Sequence, residues 1–345
     1  LKLPPLATNL IGSFPLANNR ANFARAIDDQ VKAGLDFVSY PQLADMNSMF
    51  LDPLVDGATI RREGNGFEIT QDFQPVVTKE VRRWVEDAHE ILRGKKGTIP
   101  LKACVTGPFT LSSVLKVEGA KKKPFPSGYL DLVVEHPWVI EKLAGYVHKV
   151  CARYSTLSSI VSVDEPFLSV LIGKRTNLLE LSMSRAQATD LVAETLDETL
   201  HGVRTIPCIH VCGGIGRQLS EILLGTSAKI ISHEFSRMDH NFESYEPDEP
   251  ESYSKVLSVG VVSTSPTNDQ DGVEPTAVVE RKMEGAISRY GVENVVFSPD
   301  CGFRPLADLL GQEEGYSLAM RKIAVLVSAR QKLAAKLGLI GVGKR

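Results

Sequence analysis

The stretch Val256-Leu257-Ser258-Val259-Gly260-Val261-Val262-Ser263-Thr264 carries apolar or small residues almost throughout, with no charged position. A strand wetted on one face alternates between apolar and polar residues. A strand buried on both faces does not, so this run reads as a strand inside a parallel sheet. An amphipathic stretch, Pro275–Tyr290, follows it, and then another short apolar run, Asn294–Ser298. Working outward, the same strand–helix–strand unit recurs along the chain. Leu6–Phe14, Asp36–Tyr40, Leu101–Thr106, Ser158–Asp164, Arg204–Val211 and Lys229–Phe235 complete a set of eight strand-like runs. Asn22–Gly34, Val77–Gly94, Pro137–Leu157, Ser184–Leu200 and Gly315–Leu337 read as the accompanying helices. Eight such alternations are the count of a (β/α)8 TIM barrel. An open doubly wound sheet alternates in the same way, but no G-x-G-x-x-G follows the first run, as a dinucleotide-binding sheet of that kind would require. The expectation is a single α/β TIM-barrel catalytic domain over residues 1–345, with insertions in the loops after strands. Gln42–Gln74 follows the second run, Lys116–Gly128 with its Lys121-Lys122-Lys123-Pro124 the third, and Asp239–Ser254 the sixth. The basic and acidic runs in these loops read as solvated faces.

Composition narrows the partners. Lys and Arg number 39 against 42 Asp and Glu, a net charge of -3, so no strong positive field exists to hold a nucleic acid. No apolar run approaches the ~20 residues that span a bilayer, so no membrane association is expected. The opening Leu1-Lys2-Leu3-Pro4-Pro5 lacks a charged region followed by an apolar one, so no secretory signal is expected, and the missing Met suggests a trimmed start. Five cysteines in 345 residues do not make a disulfide framework; they fit a reducing cytoplasm and metal or thiol chemistry.

Four metal-capable residues fall at strand ends, on the rim where barrel enzymes place their active sites. His210 and Cys212 end the fifth run, two apart and so on one side of a strand. Glu234 ends the sixth run and Cys301 follows the eighth. Two thiolates, an imidazole and a carboxylate make a tetrahedral set that suits Zn2+ better than magnesium or calcium. Each residue alone is uninformative; the topology is what gathers them. His240, in the acidic loop, is the reserve ligand should Glu234 fail. His233 adjoins Glu234 and should point the other way. Cys104, Cys151 and Cys208 read as buried small hydrophobes, and His89, His136, His148 and His201 as structural or solvated. A site with two thiolates keeps a bound sulfur nucleophilic better than it acidifies water. The predicted chemistry is zinc-activated thiol alkylation, with hydrolysis by an activated water as the rival. Ile11, Gly12 and Ser13 end the first run, where backbone amides and a hydroxyl suit a carboxylate. Asp164 or Glu165 suits an ammonium, and strand alternation sends one inward and the other outward. Thr106-Gly107-Pro108 reads as a shaped turn under the site.

Taken together, Ile11-Gly12-Ser13-Phe14-Pro15, Asp45-Met46, Thr106-Gly107-Pro108, Val163-Asp164-Glu165-Pro166, His210-x-Cys212, Glu234 and Pro299-Asp300-Cys301-Gly302 resemble the catalytic barrel of the cobalamin-independent methionine synthase family. The pieces occur in the family's order across nearly the whole chain. The resemblance implies zinc on His210, Cys212, Glu234 and Cys301. It also implies L-homocysteine as substrate, its carboxylate on the Ile11–Ser13 segment and its amino group on Asp164. Glu234 would be the ligand that yields to the substrate sulfur. Long family members differ in several places. They carry a second barrel, a histidine where Thr264 stands, an acidic segment where Tyr40-Pro41-Gln42-Leu43-Ala44 stands, and a folate-binding segment not evident in Phe50–Glu68. A folate's N5 needs a proton when it loses methyl, whereas a methyl–cobalt bond does not. The chain therefore resembles the short, core-type members, and the expected donor is methylcobalamin or a methylated corrinoid protein, docked on Gln42–Gln74. The alternatives are a folate donor, a corrinoid-dependent methyltransferase acting on another thiol such as coenzyme M, and a barrel whose zinc is structural and which serves as a scaffold.

Overall fold

A computed structural model describes residues 3–120, 123 and 125–339. Leu1, Lys2 and most of the basic run (Lys121, Lys122, Pro124) lie outside the described residues. The strands are β1 (Val38–Ser39), β2 (Ile60–Glu63), β3 (Gly66–Ile69), β4 (Leu101–Thr106), β5 (Leu115–Val117), β6 (Ile160–Asp164), β7 (Ile206–His210), β8 (Ile230–Glu234), β9 (Val256–Val262) and β10 (Val295–Pro299). Seven form one sheet in the order β1-β4-β6-β7-β8-β9-β10, and every pairing within it is parallel. Helices connect the strands and cover the sheet. In Lys79–Arg93 the buried residues Val81, Val85, Ala88 and Leu92 recur at helical spacing, and the Thr78 hydroxyl caps its start. Helix Arg185–Leu200 opens on a capping box formed by Ser184 and Gln187.

The expected eighth strand is absent as a ladder. Residues 7–14 run between β10 and β1 but make only isolated bridges, Thr8 to Phe297 and Ser13 to Gln42. The backbone changes partner along its length. Asn9 N–H donates to Phe297 C=O at one end, and Phe14 N–H to Gln42 C=O at the other. Between them Gly12 takes a φ of 117°, outside the range of a regular strand. The described residues thus form a curled sheet of seven parallel strands, not a regular eight-stranded barrel. The insertions are also more ordered than the sequence suggested. β2 and β3 from the Gln42–Gln74 insertion join β5 in a separate three-stranded sheet.

Inward-facing residues of the large sheet stack in layers. The lowest is apolar: Ala7, Phe37, Ile160, Ile206, Ile230, Val256 and Val296 cluster with Cys208. Above it lies a polar layer in which Asn9 donates to Ser258 (3.2 Å) and Ser258 to Ser298 (3.3 Å). The top layer holds Asp164, His210 and Glu234 at the strand ends. Two-residue alternation along β6, β7 and β8 builds all three tiers. Among the described residues no helix is long and apolar enough to cross a membrane.

Candidate active site

His210, Cys212 and Cys301 converge. His210 closes β7, is 1% exposed, and is held from below by the Ser232 hydroxyl, 3.0 Å from its Nδ1. Its Nε2 faces Cys212 Sγ at 3.1 Å, and Cys212 Sγ lies 3.0 Å from Cys301 Sγ. All three donor atoms lie within 4.8 Å of one another. The hydrogen bond between the two sulfurs lets one thiol ionise at the other's expense, holding Cys301 below the usual thiol range and pushing Cys212 up. A tetrahedral zinc site sets its donor atoms roughly 3.5–3.8 Å apart. The trio is drawn a few tenths of an ångström tighter, and it offers the imidazole and two sulfurs that such an ion prefers.

Glu234 stands beside the trio, outside it. Its Oε1 accepts the backbone N–H of Gly213, the residue after Cys212. His240, the reserve, is also outside: its Nε2 is buried without a hydrogen-bond partner and packs where a side chain at Gly214 would sit. His233 points away as expected, its ring nitrogens on Val211 C=O (2.9 Å) and Tyr245 Oη (2.7 Å). Burial lowers it to about 3, so it is neutral.

A cavity of about 270 Å³ opens over the trio, lined by Ile11, Ser13, Gln42, Met46, Asp164 and Arg304 among others. Ile11, Gly12 and Ser13 N–H groups donate to no carbonyl or side chain among the described residues, and Ile11 and Ser13 line the cavity. A Cβ at Gly12 would meet Cys104 Sγ at 3.3 Å. The Cys104 thiol, far from being inert filling, donates to Ile11 C=O at 2.8 Å and fixes this segment.

Of the two acidic candidates, Asp164 faces the cavity and Glu165 faces away. Asp164 is 2% exposed and accepts from the Ser162 hydroxyl at 2.8 Å. Burial pushes it up to about 6, with His210 and Lys102 pulling the other way. Glu165 is wholly buried and accepts from Phe109 N–H (2.9 Å), Thr110 N–H (2.8 Å) and the Thr110 hydroxyl (2.6 Å) at the start of helix Pro108–Ser112. Gly107 makes room for it, since a Cβ there would lie 2.3 Å from its carboxyl. Glu165 is therefore structural. Truncating it to alanine leaves three buried donors unpaired and is expected to destabilise the fold by about 2–4 kcal/mol, read by urea unfolding. An unchanged midpoint would show that the helix start has other partners.

Sequence reasoning missed Arg304 and read Gln42 only as part of a segment that departs from the family; both line the cavity but carry no chemical signature of their own.

The family model described as "Cobalamin-independent synthase, Catalytic domain" matches residues 140–318. A methionine synthase of Methanocaldococcus jannaschii is 24% identical over 325 residues, covering 87% of this chain and 93% of that one. A methionine synthase of Methanothermobacter marburgensis is 26% identical over 308 residues, covering 87% and 86%. Among solved structures, a B12-independent methionine synthase from Shewanella sp. W3-18-1 in complex with selenomethionine superposes with a TM-score of 0.69 at 16% identity, covering 97% of this chain and 100% of that one. A methyltransferase from Methanosarcina mazei gives 0.63 at 14% identity, covering 96% and 94%. The matching family is cobalamin-independent by its description, which overturns the expected methylcobalamin donor and corrinoid partner. The expectation links three departures, at Tyr40–Ala44, in Phe50–Glu68 and at Thr264, to a donor that demands no proton. A missing side chain says only which group does not deliver the proton. The proposed docking loop, Gln42–Gln74, is occupied instead in the small three-stranded sheet.

Proposed function

The chain belongs to the cobalamin-independent methionine synthase family and is a methyltransferase, and from that premise we propose that it methylates the thiol of L-homocysteine with zinc held by His210, Cys212, Cys301 and Glu234. The observation that supports this best is the convergence of two sulfurs and an imidazole at the floor of a cavity that is also lined by the buried carboxylate of Asp164 and by Ile11 and Ser13. Zinc at these donors would supply the deprotonation that a thiol with a pKa of about 8.5 lacks at neutral pH.

The chain's own residues do the rest. Asp164 takes the substrate's ammonium, and the Ile11–Ser13 amides take its carboxylate. With both ends of the amino acid fixed, the two-carbon arm points the sulfur at the Cys212–Cys301 side. Glu234, already on the edge of the trio, would be the ligand that yields to the substrate sulfur were zinc bound there. The sulfur lone pair forms the new S–CH3 bond as the donor's N–CH3 bond breaks. The released pair goes to N5 of a methyltetrahydrofolate, which takes up a proton. Ser263 and Glu274 hold the loop that carries Thr264 in place: Ser263 N–H donates to Glu274 Oε1 at 2.6 Å, and Glu274 pairs with buried Lys322 at 2.8 Å. That loop supplies no titratable group at Thr264.

X-ray absorption at the zinc edge is the test. Homocysteine is expected to add one sulfur scatterer and remove one oxygen; an unchanged edge would mean a closed, structural zinc. In parallel, turnover is expected with homocysteine and methyltetrahydrofolate, and none with coenzyme M as acceptor. Absence of turnover with the folate would remove the donor assignment and leave the thiol assignment standing.

A further inference from the structure

Among the described residues, one side chain both lines the cavity over the trio and leaves a buried polar atom unpaired: Gln42. It is 3% exposed, and its Nε2 has no hydrogen-bond partner. An amide buried without a partner costs stability, so the fold gains nothing from its polar head. Tyr40, two residues earlier, does not supply the partner. Its hydroxyl donates to Cys104 C=O, and although the Gln42 amide tempers the rise that burial gives this phenol, the two make no hydrogen bond.

Its surroundings say what would satisfy it. Gln42 N–H donates to Gly12 C=O at 2.9 Å and Phe14 N–H to Gln42 C=O at 3.1 Å, a bridge that sets Gln42 against Ser13, and both residues line the cavity. Gln42 Oε1 lies beside Gly12, 3.7 Å from where a Cβ would stand. The last torsion of a glutamine side chain has two roughly equivalent wells, so a half-turn exchanges oxygen and nitrogen. An acceptor arriving on the Ile11–Ser13 segment would thus meet an N–H. Gln42 continues the line of β1, whereas Asp164 ends β6, with β4 between them. Of the two charged ends of an amino acid held across this site, Gln42 adjoins the carboxylate.

We propose that Gln42 is a specificity-determining residue: its carboxamide N–H donates to the carboxylate of the substrate amino acid. This rests on the function proposed above, and it says how that site tells an amino-acid thiol from a simple aminothiol. Asp164 and the Cys212–Cys301 side meet the ammonium and the sulfur, which both compounds carry. Gln42 meets the group that only the amino acid has.

The experiment is calorimetric titration of the zinc-loaded full chain with L-homocysteine and, separately, with its decarboxylated analogue, aminopropanethiol, which keeps the thiol and the ammonium. Gln42→Met removes the polar head at similar volume, and Gln42→Glu keeps the shape but puts a negative acceptor where the donor was. Gln42→Met is expected to weaken homocysteine about tenfold and Gln42→Glu about a hundredfold, with neither weakening the analogue by more than about twofold. Gln42→Met should also hold or raise the urea midpoint, because it removes an unpaired buried group; a lowered midpoint would mean that the amide has a partner inside the protein and would overturn the proposal. Equal losses for both ligands would reduce Gln42 to a packing residue. Tighter homocysteine binding by Gln42→Glu would place the side chain at the ammonium, and no loss for either ligand in a folded variant would remove it from the site. Failure of the wild-type protein to bind homocysteine would instead overturn the function on which the proposal rests.

Discussion

Replacing Cys301 by serine is expected to leave a folded protein that holds zinc about a hundredfold more weakly and methylates almost no homocysteine. Four-ligand zinc sites with thiolate donors bind with roughly 10–16 kcal/mol, so one thiolate in four accounts for about 3 kcal/mol, or two powers of ten. Serine is near-isosteric, but its hydroxyl does not ionise at neutral pH. Cys301 lies beyond the end of β10, half-buried, so the sheet does not depend on it. Cys301 Sγ lies 3.0 Å from Cys212 Sγ, so the substitution takes one of two adjacent sulfurs from the donor set. Chelator competition gives the affinity, and unfolding midpoints show that the fold survives. A Cys301→Ser protein with wild-type zinc content and turnover would remove this residue from the metal centre.

The second large effect is expected at Asp164. Asp164→Asn should raise KM for homocysteine about 10- to 100-fold, the worth of one buried hydrogen bond to a charged group, with a much smaller change in kcat. A pH signature should accompany it. The ammonium-binding form is the ionised carboxylate, and burial pushes this carboxyl up to about 6. Above pH 6 the group is charged and binding is at its plateau. Below it, protonation removes the partner, so homocysteine affinity falls about tenfold per pH unit as pH drops further. The asparagine variant has nothing to titrate there and should lack this limb. A wild-type affinity that stays flat from pH 7 to 5 would mean that the ammonium is held elsewhere.

Much of this was legible in the sequence, and the reasons are specific. β6 to β10 were readable because fully buried strands leave unbroken apolar runs, and their ends could be aligned by counting in twos. That arithmetic placed His210, Cys212 and Cys301 on one rim before any coordinates. It also sent one of Asp164 and Glu165 inward and the other outward; the structure turns Asp164 to the cavity and Glu165 to helix Pro108–Ser112. It put Glu234 on the same rim but could not foresee its bond to the Gly213 amide, because that is a matter of rotamer, to which periodicity is blind. It failed too for residues 7–14, whose apolar pattern is that of a strand although their hydrogen bonding is not. The three-stranded sheet escaped because it joins β5 to β3 across more than 40 positions, a pairing no local window sees. The donor was misjudged for a different reason: a chemical argument about one absent side chain was extended to the identity of a second substrate.

The broken ladder at residues 7–14 has a consequence of its own. In a regular strand every amide is already committed to a neighbour. Had this segment zipped fully onto β10 and β1, the N–H groups of Ile11, Gly12 and Ser13 would have been spent inside the protein. Under the function proposed above, an amino acid's carboxylate arriving at this irregular seam would supply the missing acceptors and act as the last stitch in the wall of its own container.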